Sequence, residues 1–212
     1  MSGSLLVLTD RRQCGRSALV STVAAAVEGG ARALVVREKD LRPTDRAALV
    51  AALRALLEGL DGIVLLAGPD IELARSTGAA GVHLAASDPW PPADSGLIVG
   101  RSCHDRIELA AAEDSGADYA IVSPVFDSPS KPGYGPALGT ARLAELAASV
   151  SMPVFALGGV TAATAGACLA AGATGVAVMG AVMAVADPRA ATAELVAALA
   201  AFRQGRPAAV GQ

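Results

Sequence analysis

The chain has 212 residues, 53% of them hydrophobic and 17% charged, with a formal net charge of −3. These bounds describe one well-buried globular domain and exclude a disordered chain or a basic nucleic-acid-binding surface. Three cysteines (Cys14, Cys103 and Cys168) are too few and too dispersed for a disulfide framework or a zinc site, and no apolar run reaches the length of a membrane span. Residues 1–10 carry no basic leader or cleavage signal, so the chain reads as a soluble cytoplasmic protein.

The apolar run LLVLT predicts a strand over residues 5–9, followed by a helix over 17–28 that Gly29-Gly30 stops. A second strand covers 31–36 and ends in Arg37, Glu38, Lys39 and Asp40. The next helix starts after Pro43, with Thr44 as its N-cap, and runs to about 58. Further strands are expected over 63–66, 81–84, 97–100, 119–122, 154–157 and 175–178. Helices are expected over 71–76, 105–115, 140–149, from the Thr161 cap to 171, and over 188–202, with a frayed tail over 205–212.

The strands are continuous apolar runs, as expected when both faces are covered. Gly-Ala or Gly-Gly-Ala recurs between a helix and the next strand (GGARA, TGAAGV, SGADYA, AGATGV), so one βα unit repeats along the chain. Eight such units predict a (β/α)8 TIM barrel occupying residues 1–204 as one domain. An open doubly wound sheet would want a glycine-rich fingerprint after the first strand, and Thr9-Asp10-Arg11 is not one.

In a barrel the C-terminal strand ends converge on one face, and the site is built there. Arg37 and Lys39 follow the second strand, Asp88 lies beyond the fourth, and Ser102 and His104 follow the fifth. Ser128, Ser130 and Lys131 sit in the long loop after the sixth, where two hydroxyls and an ammonium suit an anion. Gly158-Gly159 and Met179-Gly180 follow the seventh and eighth strands, where backbone N–H groups close on phosphate in many barrels. Arg37, Lys39 and Lys131 together suggest a second anionic group or a diphosphate. His83 lies within the apolar run GVHL and reads as a hydrogen-bonded core histidine. His104, beside Ser102, is better placed for proton transfer.

In order along the chain, LLVLTDR, REK at 37–39, GVHL at 81–84, GRSCH at 100–104, ADYAIVSPVFDSPSK at 117–131, PVFALGGV at 153–160 and GVAVMGAV at 175–182 resemble the thiamin phosphate synthase family, which includes the thiazole tautomerase TenI. The resemblance covers nearly the whole chain. It implies a barrel that binds a thiazole phosphate, with the phosphate held by the Gly158-Gly159 and Met179-Gly180 loops. It also places Arg37, Lys39, Ser128, Ser130 and Lys131 at the family's diphosphate contacts. In the synthase the thiazole nitrogen attacks a pyrimidine methylene and diphosphate leaves with magnesium.

Departures from the synthase pattern set the finer expectation. Val35 stands where synthases carry Gln, and Gly68-Pro69 where they carry an Asn-Asp pair whose Asp helps hold magnesium; Asp88 matches the other magnesium ligand. TenI proteins share the lost carboxylate, but Pro124 stands where their proton-transfer histidine is placed, which leaves His104 or Lys131 for that work. The first expectation is therefore a TenI-like protein that binds thiazole phosphate carboxylate and isomerises it. The alternatives are a thiamin phosphate synthase and a non-catalytic phosphate-binding barrel. Magnesium is implied only for the synthase, no other cofactor is called for, and neither nucleic acid nor membrane is a partner. The family analogy admits a homo-oligomer.

Overall fold

The structure, a computed structural model, describes residues 5–14, 18–92, 95–127 and 136–205. Its parallel strands close into a barrel in sequence order: β1 (Leu5–Leu8), β2 (Ala33–Val36), β3 (Ile63–Ala67), β4 (Gly81–Leu84), β5 (Ile98–Cys103), β6 (Tyr119–Val122), β7 (Val154–Leu157) and β8 (Gly175–Val178). The helices are α1 (Leu19–Glu28), α2 (Pro43–Ala55), α3 (Ile71–Thr77), α4 (Arg106–Asp114), α5 (Gly139–Ala147), α6 (Ala162–Ala170), α7 (Gly180–Met183) and α8 (Pro188–Gln204). The expected (β/α)8 barrel is thus the observed one. The expected tail lies, beyond Gly205, outside the described residues. Among the described residues no helix is long and apolar enough to cross a membrane.

Strand side chains alternate between two faces, and here both faces are covered. Leu6, Leu8, Val35, Leu65, Tyr119, Ile121, Phe155 and Ala177 point inward and pack as one cluster in the barrel. Val7, Leu34, Val36, Val82, Leu84 and Val122 point outward under the helices and belong to a second cluster. That division explains why the strands read as unbroken apolar runs.

Three local expectations change. The fifth strand extends to Cys103, because Ser102 and Cys103 pair with Ile121 and Val122 of β6. Polar side chains at the barrel mouth leave the backbone ladder intact, so Ser102 is on the strand and not in a loop. Thr44 is not the cap of α2: the helix begins at Pro43, with Arg42 in the N-cap position and no side-chain cap. Proline at the first helical position has the right φ and no N–H of its own to satisfy, so it suits a helix start. The short helix α7 was hidden in the apolar run that continues β8. Thr161 does occupy the N-cap of α6, where its N–H donates to Thr164 Oγ1 at 2.9 Å.

Candidate active site

At the C-terminal ends of the strands a cavity of about 1310 Å³ opens. Arg37, Lys39, Ser102, His104, Gly158, Gly159, Met179 and Gly180 all line it, so most of the expected site residues come together. Ser128, Ser130 and Lys131 lie outside the described residues.

The β1 and β2 ends are tied by a carboxylate that sequence reasoning passed over. Glu38 is buried, and its Oε2 accepts from Thr9 Oγ1 at 2.5 Å while its Oε1 accepts from the Arg11 N–H at 3.1 Å. Thr9 Oγ1 in turn accepts from the Arg37 N–H at 3.0 Å. A buried carboxylate needs this kind of satisfaction, and the result fixes the segment that carries Arg37 and Lys39. Outside it, Arg11 and then Arg12 hold the exposed Asp40 carboxyl far below the usual range.

The two cations diverge from this anchor. Arg37 Nη1 lies 2.7 Å from Met179 Sδ and 4.0 Å from Asp10 Oδ2, on the β8 side. A thioether is a weak acceptor, so the guanidinium keeps donors for a ligand. Lys39 Nζ lies 3.3 Å from Asp88 Oδ2, on the β4 side. Asp88 is held in place by its own turn, with the Ala85 N–H donating to Oδ2 at 2.8 Å. Arg101 reaches over from β5, donates to the Asp88 carbonyl at 2.6 Å, and stacks on Trp90 with 4.9 Å to the ring centroid.

The donor set does not fit a magnesium ion built into the protein. Asp88 is the carboxylate at the expected place, and it already faces the Lys39 ammonium. Pro69 brings no side-chain oxygen, its carbonyl accepts from the Ile71 N–H at 3.0 Å, and a Cβ at Gly68 would lie 3.3 Å from Lys39 Cε, so the lysine stem fills that space. Among the described residues there is no group of three His, Cys, Asp or Glu able to hold a metal. Magnesium prefers oxygen ligands and negative charge, which this cluster of described residues does not supply.

His83 is the buried, hydrogen-bonded histidine expected from GVHL, with Nε2 2.9 Å from Ser102 Oγ and Nδ1 3.0 Å from Tyr119 Oη. Burial, reinforced by the charges of Lys39 and Arg37, pushes its pKa down to about 3, so it is neutral at ordinary pH. It also borders the cavity, which the sequence reading did not anticipate. His104 is partly exposed, and its Nδ1 is 2.8 Å from the Ser123 carbonyl. A carbonyl only accepts, so Nδ1 carries the proton and Nε2 is the basic nitrogen.

Gly158 and Gly159 have φ of +101° and +61°, a region that side chains disfavour. A Cβ at Gly159 would lie 2.7 Å from Phe126 Cβ and overlap the Asp127 carbonyl. A side chain there would strike Phe126 and Asp127, in the segment that follows β6. The close approach is held by hydrogen bonds from Val125 N–H to Leu157 O at 2.9 Å and from Phe126 N–H to Gly158 O at 3.0 Å.

The family model described as thiamine monophosphate synthase matches residues 5–182. The chain belongs to this family. It is 41% identical over 192 residues to a putative thiamine-phosphate synthase of Geobacter sulfurreducens, covering 88% of this chain and 89% of the relative. It is 38% identical over 204 residues to the thiamine-phosphate synthase of Roseiflexus sp., covering 93% and 86%. Among solved structures, the thiamine phosphate pyrophosphorylase of Pyrococcus furiosus superposes with a TM-score of 0.83 at 31% identity, covering 94% of this chain and 96% of that one. These names favour the synthase alternative over the TenI-like reading of the sequence.

Proposed function

We propose that this family member acts as a synthase: it binds a thiazole phosphate together with a pyrimidine diphosphate and joins them in the cytoplasm. The thiazole nitrogen forms a bond to the pyrimidine methylene, the methylene–oxygen bond breaks, and diphosphate departs with the bonding electrons. One observation carries this reading. Arg37 and Lys39 line the same cavity as the Gly158-Gly159 and Met179-Gly180 loops, which supports a ligand set with more than one anionic group. The glycine loops suit the thiazole phosphate, and the two cations suit the diphosphate. Fixed cations oppose the charge that builds on the leaving oxygen, which lowers the barrier most where water is excluded. Ser128, Ser130 and Lys131 complete the diphosphate contacts in this proposal.

A second reading, thiazole isomerisation, is favoured by Pro69 and the Lys39–Asp88 pair, which replace the second carboxylate. In it, His104 Nε2 or Lys131 moves the proton. Turnover measured with both synthase substrates, beside an isomerisation assay on the thiazole phosphate carboxylate, separates the two. Coupled product supports the proposal. Isomerisation without coupling replaces it, and ligand binding without either reaction leaves a phosphate-binding barrel.

A further inference from the structure

Ser102, His83 and Tyr119 form a hydrogen-bonded line from the cavity into the barrel, with spacings of 2.9 Å and 3.0 Å. His83, Gly100 and Tyr119 lie at one register level across β4, β5 and β6. Gly100 makes the crossing possible, because a Cβ there would overlap the Tyr119 ring. The Tyr119 side chain therefore reaches past the middle strand to the imidazole.

The direction of the two hydrogen bonds follows from burial. Tyr119 has no exposed surface, and its hydroxyl meets His83 Nδ1 as its hydrogen-bond partner among the described residues. A buried phenol proton requires an acceptor. Nδ1 supplies it, so the proton of the neutral imidazole sits on Nε2 and is donated to Ser102 Oγ. Ser102 then directs its own O–H to the cavity, which it borders.

We infer that Tyr119 and His83 are positioning residues that lock Ser102 as a hydrogen-bond donor toward an acceptor oxygen of the bound ligand. With Arg37 and Lys39 on the same cavity, that oxygen belongs to a phosphate or diphosphate; this part rests on the anionic ligand proposed above. A ligand offering only a donor at this point would leave the serine proton unpaired and is selected against. The lock does not reverse with pH in the neutral range, since His83 stays uncharged down to about 3 and burial raises the Tyr119 pKa above its usual value.

Nitrogen-15 NMR of His83 in the unliganded wild-type protein reads the lock directly and needs no variant. The expected result is a protonated Nε2 and an acceptor Nδ1; a protonated Nδ1 would overturn the inference. Calorimetric titration with inorganic diphosphate then compares wild type, Tyr119→Phe, Ser102→Ala and the double variant. Each single variant should weaken binding by roughly tenfold, and the double variant should be no weaker than Ser102→Ala. Losses that multiply in the double variant, or unchanged affinity in Tyr119→Phe, would make Tyr119 a packing residue only. Failure of the wild type to bind diphosphate would remove the anionic ligand and the ligand half of this inference, while the tautomer result would still decide the lock.

Discussion

Lys39 Nζ lies 3.3 Å from Asp88 Oδ2, in space that Gly68 leaves open. The ammonium and the missing carboxylate at Pro69 both weaken the place for a hard cation. We expect wild-type protein to bind Mn2+ weakly, read by the loss of the free-ion paramagnetic resonance signal. Pro69→Asp should tighten binding by at least about tenfold, or ~1.4 kcal/mol. Equal affinity of the two proteins would show that position 69 does not control the metal.

Gly100 is required for space and not for backbone conformation. Gly100→Ala forces a methyl against the Tyr119 ring in the barrel interior. Overpacking of this kind typically costs about 1–3 kcal/mol. Urea unfolding should show a lowered midpoint with unchanged slope, and a Tyr119→Phe background should leave most of the penalty, because the ring carbons remain.

His83 makes stability depend on pH in a defined window. Its pKa is 6.5 unperturbed and about 3 in the fold. Between those values the unfolded chain binds a proton that the folded chain refuses, so stability falls as pH falls. The slope approaches about 1.4 kcal/mol per pH unit, and His83 contributes none above its unperturbed value. Denaturation measured across pH 4 to 7 should steepen accordingly, and His83→Gln, though less stable overall, should flatten that part of the curve.

A side chain at Gly159 meets Phe126 and Asp127 before it meets ligand. Gly159→Val should lower stability by roughly 2 kcal/mol or more, from positive φ and steric overlap together. Thiazole-phosphate binding should fall with it, because the loop must move. A variant with wild-type melting temperature and lost binding would instead place the ligand directly on the missing hydrogen.

His104 borders the cavity with its Nδ1 held by the Ser123 carbonyl. If the chain isomerises its thiazole ligand, His104→Asn should lower turnover by at least about tenfold while binding changes little. Unchanged turnover in the variant would shift the proton transfer to Lys131.

The barrel was legible in the sequence because its signal is local. Apolar runs, glycine stops and the repeated Gly-Ala junction each depend on neighbours in the chain, and they fixed strand order and the face that carries the site. The same logic placed Arg37, Lys39, Ser102, His104 and the two glycine loops around one cavity. The extent of β5 was missed because polar residues at a barrel mouth mimic a loop.

What only the tertiary structure decided are partnerships between residues far apart in the chain. Glu38 is buried by Thr9 across a separation of 29 residues, Lys39 pairs with Asp88 across 49, and His83 meets Tyr119 across 36. No periodicity encodes such pairs, since each depends on strand register and on a glycine or a turn that clears the way. The sequence by itself determined which chemistry reaches the open face. Closure of the barrel decided which of those charges are neutralised, which histidine stays uncharged, and where a hydroxyl proton is left to point.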